Sequence, residues 1–208
     1  MKFLLPFCLL LLLISGCSDD EQPLPDYQEE LADLPTDGAG RAAMLVMDNG
    51  ETLPLDSPVN GLKADTTYRI LSLLVRNKMS VHLADFATIL SLPVKRYKQE
   101  NPPTDAVSLV SYWQTGRYIN LHLQIMGTTT GVHYFGVQHK GVSEGADGSR
   151  ILQARLIHQR NKDPQHYSRE TYLSVPLTPL RQELTAGRDS FWLAIPCADG
   201  DKVCKFQL

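Results

Sequence analysis

Between Tyr118 and Met126 the chain alternates strictly. Tyr118, Asn120, His122 and Gln124 take turns with Ile119, Leu121, Leu123 and Ile125. A period of two is that of a β-strand with one wet face and one core face. This segment fixes the class of the whole chain, because most of the remaining apolar stretches are also short and bounded by turn residues. The chain is therefore expected to be all-β.

In the first half, Arg41 to Met47 runs into Asp48-Asn49-Gly50-Glu51, where Asn-Gly signals a hairpin, and Leu53 to Leu55 returns. Tyr68 to Arg76 is a long apolar run that Asn77-Lys78 turns into Met79 to Ala87. Short strands in so few residues fit a small, partly open barrel of the oligonucleotide/oligosaccharide-binding (OB) type. Asn101-Pro102-Pro103-Thr104-Asp105 reads as a linker, since two adjacent prolines cannot sit in a central strand. Beyond it, Val107 to Trp113, Tyr118 to Met126, Val132 to His139, Ile151 to Gln159, Glu170 to Val175, Phe191 to Pro196 and Val203 to Gln207 are strand candidates. That succession matches an immunoglobulin-like sandwich of two sheets. Thr178 to Leu184 fits a helical turn or two, with Thr178 as cap and Pro179 at the first helical position.

The N-terminus carries an address. Lys2 precedes an apolar stretch from Phe3 to Ile14, too short for a membrane helix of about 20 residues and right for a signal segment. Ile14, Ser15 and Gly16 then lead into Cys17 in the order of a lipobox, which makes Cys17 the lipidated first residue of the mature chain. Buried acyl carbons contribute about 0.8 kcal/mol each, so several acyl chains hold firmly. Ser18, Asp19, Asp20 and Glu21 follow. This acidic cluster resembles the surface-export signal of anaerobic Gram-negative bacteria of gut and mouth. The expected location is the outer membrane, by lipid anchor, on the cell surface, with a periplasm-facing position as the alternative.

Charge divides the chain unevenly. Residues 17–37 hold eight acids and no base. Taking these and Lys2 from the 23 Asp+Glu and 20 Lys+Arg leaves 15 acids and 19 bases, so the body from Gly38 onward is near +4. The acidic stretch, with Pro23, Pro25 and Pro35, reads as an unfolded tether of roughly 25 Å. A body charge of +4 is too small to suggest nucleic acid. The expected organisation is thus signal 1–16, tether 17–37, OB-like barrel 38–101 and β-sandwich 102–208.

Candidate chemistry is sparse. Cys197 and Cys204 flank a turn at Gly200-Asp201 that would set them opposite each other, within reach of a disulfide in an oxidising compartment. Neither the six histidines nor the cysteines show a metal-ligand spacing, although His122, His133 and His158 fall where strands can gather them. No nucleophile elbow, phosphate loop or paired carboxylates stand out, so no catalytic residue, cofactor or metal is assigned. Aromatics are dense in the second half. Tyr112, Trp113, Tyr118, Tyr134 and Tyr167 are binding candidates, and Trp192 reads as core or its edge.

Taken together the chain resembles the NigD-like lipoprotein family. The resemblance rests on the lipobox, on Asp48-Asn49-Gly50 to Leu55, on Thr67 to Val75, on Tyr118-Ile119-Asn120-Leu121, and on Leu156-Ile157-His158-Gln159-Arg160-Asn161-Lys162-Asp163. In the last segment Gln159 replaces a more usual Asn. The resemblance implies an OB-like domain followed by a β-sandwich, an immunity role guessed from a bacteriocin gene cluster, and no catalytic residues. Asn120, His158, Asn161 and Asp163 are expected to organise turns and strand pairing. The expected function is a non-enzymatic, lipid-anchored binding protein whose partner is an envelope protein. A surface glycan-binding lipoprotein is the alternative, and a hydrolase the third reading.

Overall fold

The structure, a computed structural model, describes residues 25–208. The signal segment, Ile14, Ser15, Gly16, Cys17 and the run Ser18 to Glu21 lie outside the described residues. Among the described residues no helix is long and apolar enough to cross a membrane.

The first five strands are β1 (Gln28–Pro35), β2 (Ala42–Met47), β3 (Thr52–Val59), β4 (Thr67–Arg76) and β5 (Val81–Thr88). They form a closed barrel in the order β1-β2-β3-β5-β4, with β1 also paired to β4. The expected barrel was partly open and began at Gly38. Closure comes from residues read as tether: Leu31, Ala32, Asp33 and Leu34 are all buried, and β1 pairs with β4 from Gln28↔Leu74 to Pro35↔Thr67. The tether reading is therefore corrected from Gln28 onward. Its acids misled because Glu29 and Asp33 stand on the outer side of β1, whereas Ala32 and Leu34 fill the barrel with Leu45, Met47, Ile70 and Leu74. Each such aliphatic side chain contributes about 1.5–3 kcal/mol on burial.

The Asn-Gly turn forms as read. Met47 N donates to the Glu51 carbonyl, Glu51 N donates to Asn49 Oδ1, and Gly50 takes φ 92°, which favours glycine.

The second body begins earlier than the prolines indicate. The short strands β6 (Leu90–Ser91) and β7 (Val94–Lys95) already pair with sandwich strands. The rest are β8 (Ser108–Gln114), β9 (Tyr118–Gly127), β10 (Tyr134–Glu144), β11 (Arg150–Gln159), β12 (Tyr167–Pro176), β13 (Ser190–Cys197) and β14 (Gly200–Gln207). Two sheets result, β14-β13-β11-β10-β7 and β6-β12-β9-β8. Pro102 is buried and Asp105 N donates to the His158 carbonyl, so the proline stretch lies along the sandwich instead of separating domains. The boundary at 101/102 is thereby corrected to near residue 90. The inner face of β9 supplies Ile119, Leu121, Leu123 and Ile125 to the core, each 3% exposed or less. Helix α1 (Leu177–Glu183) pins itself there through Leu177 and Leu180. It starts after Pro176 with no side-chain cap, which corrects Thr178 as cap. Pro179 still falls in the first turn, where no backbone donor is needed.

The disulfide does not form. Cys197 and Cys204 are free thiols. The β13–β14 turn lies at Ala198-Asp199, so Cys197 faces Gly200 and Cys204 faces Leu193. The two cysteines are thus four residues out of register, about 13 Å along a strand. Burial pushes the Cys204 thiol up to about 11, which leaves it inert.

Candidate functional site

Strand parity decides where barrel and sandwich meet. On β1 and β4 the outward pairs are Glu29↔Leu73, Leu31↔Leu71 and Asp33↔Arg69. On the four-stranded sheet the outward side chains include Asn120, Ser174 and Trp113, in register across β9, β12 and β8. The Asp33/Arg69 end of the barrel face presses on Asn120 and Ser174, all of them buried. The polar face of β9, read as wet, is therefore an internal interface at its first residues.

Arg69 is the centre of that interface. Its Nη1 and Nη2 donate to Asp48 at 2.5 and 2.8 Å, its Nη2 also to Asn120 Oδ1 at 3.1 Å, and its Nε to Ser174 Oγ at 3.0 Å. Asp33 lies 3.4 Å from Arg69 Nη1 and 2.8 Å from Arg117 Nη2. Tyr118 donates its hydroxyl to Asp33 at 3.0 Å while its ring lies 4.0 Å from the Arg69 guanidinium carbon. Burial, then the Asp33 charge, pushes the Tyr118 phenol up to about 12. Two arginines answer two carboxylates, so the node is neutral and almost fully bonded. Tyr118 is thus committed to the barrel, which corrects it as a free binding aromatic. Arg69 and Asp33 escaped the sequence reading; the available signal was an arginine near the start of a largely apolar strand.

Beside the node the two outer faces diverge into an open groove of about 370 Å³. Its lining includes Leu31 and Leu71 from the barrel and Trp113 and Tyr172 from the sandwich, with Glu29, Glu30 and Asp48 at its margins. Trp113, half-buried, is the sequence-nominated aromatic that lands in it. The others do not converge. Tyr112 packs edge-on against Phe206 at 5.6 Å at the sandwich margin. Tyr167 pairs with Gly127, nine residues along β9 from Tyr118, or about 30 Å away. Tyr134, 60% exposed, opposes Gln159. Trp192 is half-buried on the outer side of β13 under Lys205, whose Nζ lies 4.2 Å from the ring centre.

Two of the three histidines considered together do meet. His133 Nδ1 is 2.8 Å from His158 Nε2, His133 Nε2 is 3.0 Å from Asp163 Oδ2, and His158 Nδ1 is 3.2 Å from the Asp105 carbonyl. At its two ends the Asp163 carboxylate and the Asp105 carbonyl accept from the rings. Burial pushes His158 below its ordinary value. Bonds from Thr128 first, then His133, pull Asp163 down to about 2. A Cβ at Gly131 would occupy the space of that carboxylate, so glycine is required there. His122 lies apart, stacked on Tyr172 at 4.3 Å and bonded to Glu170. The His133 and Asp163 side chains are only 2% and 5% exposed, so this relay organises loops and offers no open catalytic face. Among the described residues no three His, Cys, Asp or Glu side chains are placed so that they could hold a metal ion together.

Residues 91–207 match the NigD-like C-terminal beta sandwich domain. Among solved structures, the chain is similar to a NigD-like immunity protein from Bacteroides caccae ATCC 43185, with TM-score 0.67 and 22% identity, covering 88% of this chain and 92% of that one. A protein of unknown function, DUF1344, from Bacteroides vulgatus ATCC 8482 gives TM-score 0.66 at 17% identity, covering 88% and 90%. A toxin-related protein from Parabacteroides distasonis ATCC 8503 gives 0.64 at 15%, covering 88% and 93%. No curated protein matches the sequence.

Proposed function

Since this chain belongs to the NigD-like family, we propose that it is a non-catalytic binding protein, lipid-anchored in the outer membrane and displayed on the cell surface, whose groove receives another protein. The observation that carries this reading is the groove itself. It is lined by Leu31 and Leu71 from the barrel and by Trp113 and Tyr172 from the sandwich. The Arg69 node fixes both of its sides before any partner arrives, which lowers the ordering cost of association. Two proteins of the same fold are named for immunity and for a relation to toxins, and an immunity-type role is exercised by contact with another protein. The lipobox ending at Cys17 supports the anchor, and Ser18 to Glu21 support surface display.

Photo-crosslinking from Thr115 at the groove in intact cells tests the binding role. A discrete protein adduct is expected there and none from Ser143 on the β10–β11 hairpin; equal, diffuse labelling from both refutes it. For the anchor, Cys17→Ala is expected to move the protein from the membrane to the aqueous fraction. Protease added to whole cells separates surface display from a periplasm-facing position.

A further inference from the structure

The outer faces of β1, β4 and β5 are in register along two rows that lead away from the Arg69 node. One row is Leu31–Leu71–Ala87 and the next is Glu29–Leu73–Asp85. A second hollow of about 210 Å³ follows these rows and shares Glu29 and Leu71 with the first, so the two make one groove. Its floor is aliphatic, yet three outward-facing acidic residues line it: Glu29, Asp48 and Asp85. Among the described residues no lysine or arginine lines either hollow. Arg76 answers Glu30 and Arg69 answers Asp48. Glu29 and Asp85 form no ion pair among the described residues, although the body from Gly38 carries more bases than acids.

We infer that this groove docks a basic segment of the partner protein, one that carries lysine or arginine beside aliphatic side chains. The chemistry is complementary at each part. Leu71 and Leu73, both part-exposed, accept aliphatic groups. Glu29 and Asp85 pair with cations at the exposed end, and Trp113 and Tyr172 offer ring faces to a guanidinium or ammonium. The opposite sign of charge on the partner also steers its approach and rejects acidic segments. This inference rests on the protein-binding role proposed above and adds the chemistry of the partner.

The test uses the full lipidated chain in neutral detergent micelles and three fluorescein-labelled hexapeptides, alternating leucine with arginine, serine or glutamate. Fluorescence anisotropy is expected to show binding of the arginine peptide alone, weakening as salt rises from 50 to 300 mM. Glu29→Gln with Asp85→Asn should weaken it at least tenfold. Both residues are exposed, so the fold is retained. Glu29→Lys with Asp85→Lys should transfer preference to the glutamate peptide. Equal binding of the serine peptide, or an arginine affinity indifferent to these substitutions, overturns the basic-segment inference. A specific Thr115 crosslink in cells would then still uphold the protein-binding role, so the two failures are distinct.

Discussion

Arg69 joins the domains at the level of single atoms. Its guanidinium bonds Asp48, Asn120 and Ser174 and approaches Asp33, with the side chain 2% exposed. Removing one partner of a buried charge network leaves the others desolvated and uncompensated, which costs about 3–5 kcal/mol. Arg69→Met is therefore expected to lower unfolding stability by that amount in urea titrations, and a loss below about 1 kcal/mol would show the node to be dispensable. The His158–His133–Asp163 relay responds to acid in two stages. Folded His158 resists a second proton, so stability declines as pH falls below the ordinary histidine value of about 6.5. Folded Asp163 holds its proton only near about 2, so its stabilisation is present above about 4 and is lost between there and about 2. Urea midpoints measured from pH 7 to pH 2 should fall in both windows, and Asp163→Asn should flatten the lower one.

At the scale of elements, register governs. Moving the β13–β14 turn from Gly200-Asp201 to Ala198-Asp199 separates two cysteines that the looser reading of the hairpin sets face to face. Thiol titration of the denatured, unreduced body should return both Cys197 and Cys204, and dithiothreitol should leave Tm unchanged; a Tm lowered by reduction would restore the bridge. Strand β1 has the greater consequence, because it pairs with both β2 and β4 and so closes the barrel. A protein beginning at Gly38 loses that strand and leaves two unpaired edges around an open core. It should aggregate or lose the cooperative unfolding of a protein beginning at Pro25, as read by light scattering and circular dichroism.

Across the whole molecule, the node turns two cores into one unit. Asp33, Asp48 and Arg69 belong to the barrel and Arg117, Tyr118, Asn120 and Ser174 to the sandwich, so neither body can unfold without exposing charges that the other satisfies. Calorimetry should give a single transition in the wild type and two in Asn120→Ala, where the bridging amide is gone; two transitions in the wild type would contradict the coupling. The same rigidity holds the groove open, with Trp113 and Tyr172 on one side and Leu31 and Leu71 on the other.

Period-two alternation and turn chemistry are local properties, and they were enough to specify an all-β chain, the alternation of β9, the Asn49-Gly50 turn and the order of barrel before sandwich. Local pattern also singled out Trp113 and suggested that His133 and His158 share a neighbourhood. What lay beyond it depended on which strand face meets which neighbour. Glu29 and Asp33 looked like tether because charge density is counted along the chain, whereas burial is decided across it. Pro102 looked like a boundary because proline marks irregular backbone, and irregular backbone can still pack. Tyr118, the Arg69 node and the acid-lined groove arise only when the outer face of β1 and β4 meets the outer face of β9 and β12. Side chains far apart in sequence become partners there, and no spacing rule within one segment encodes that encounter.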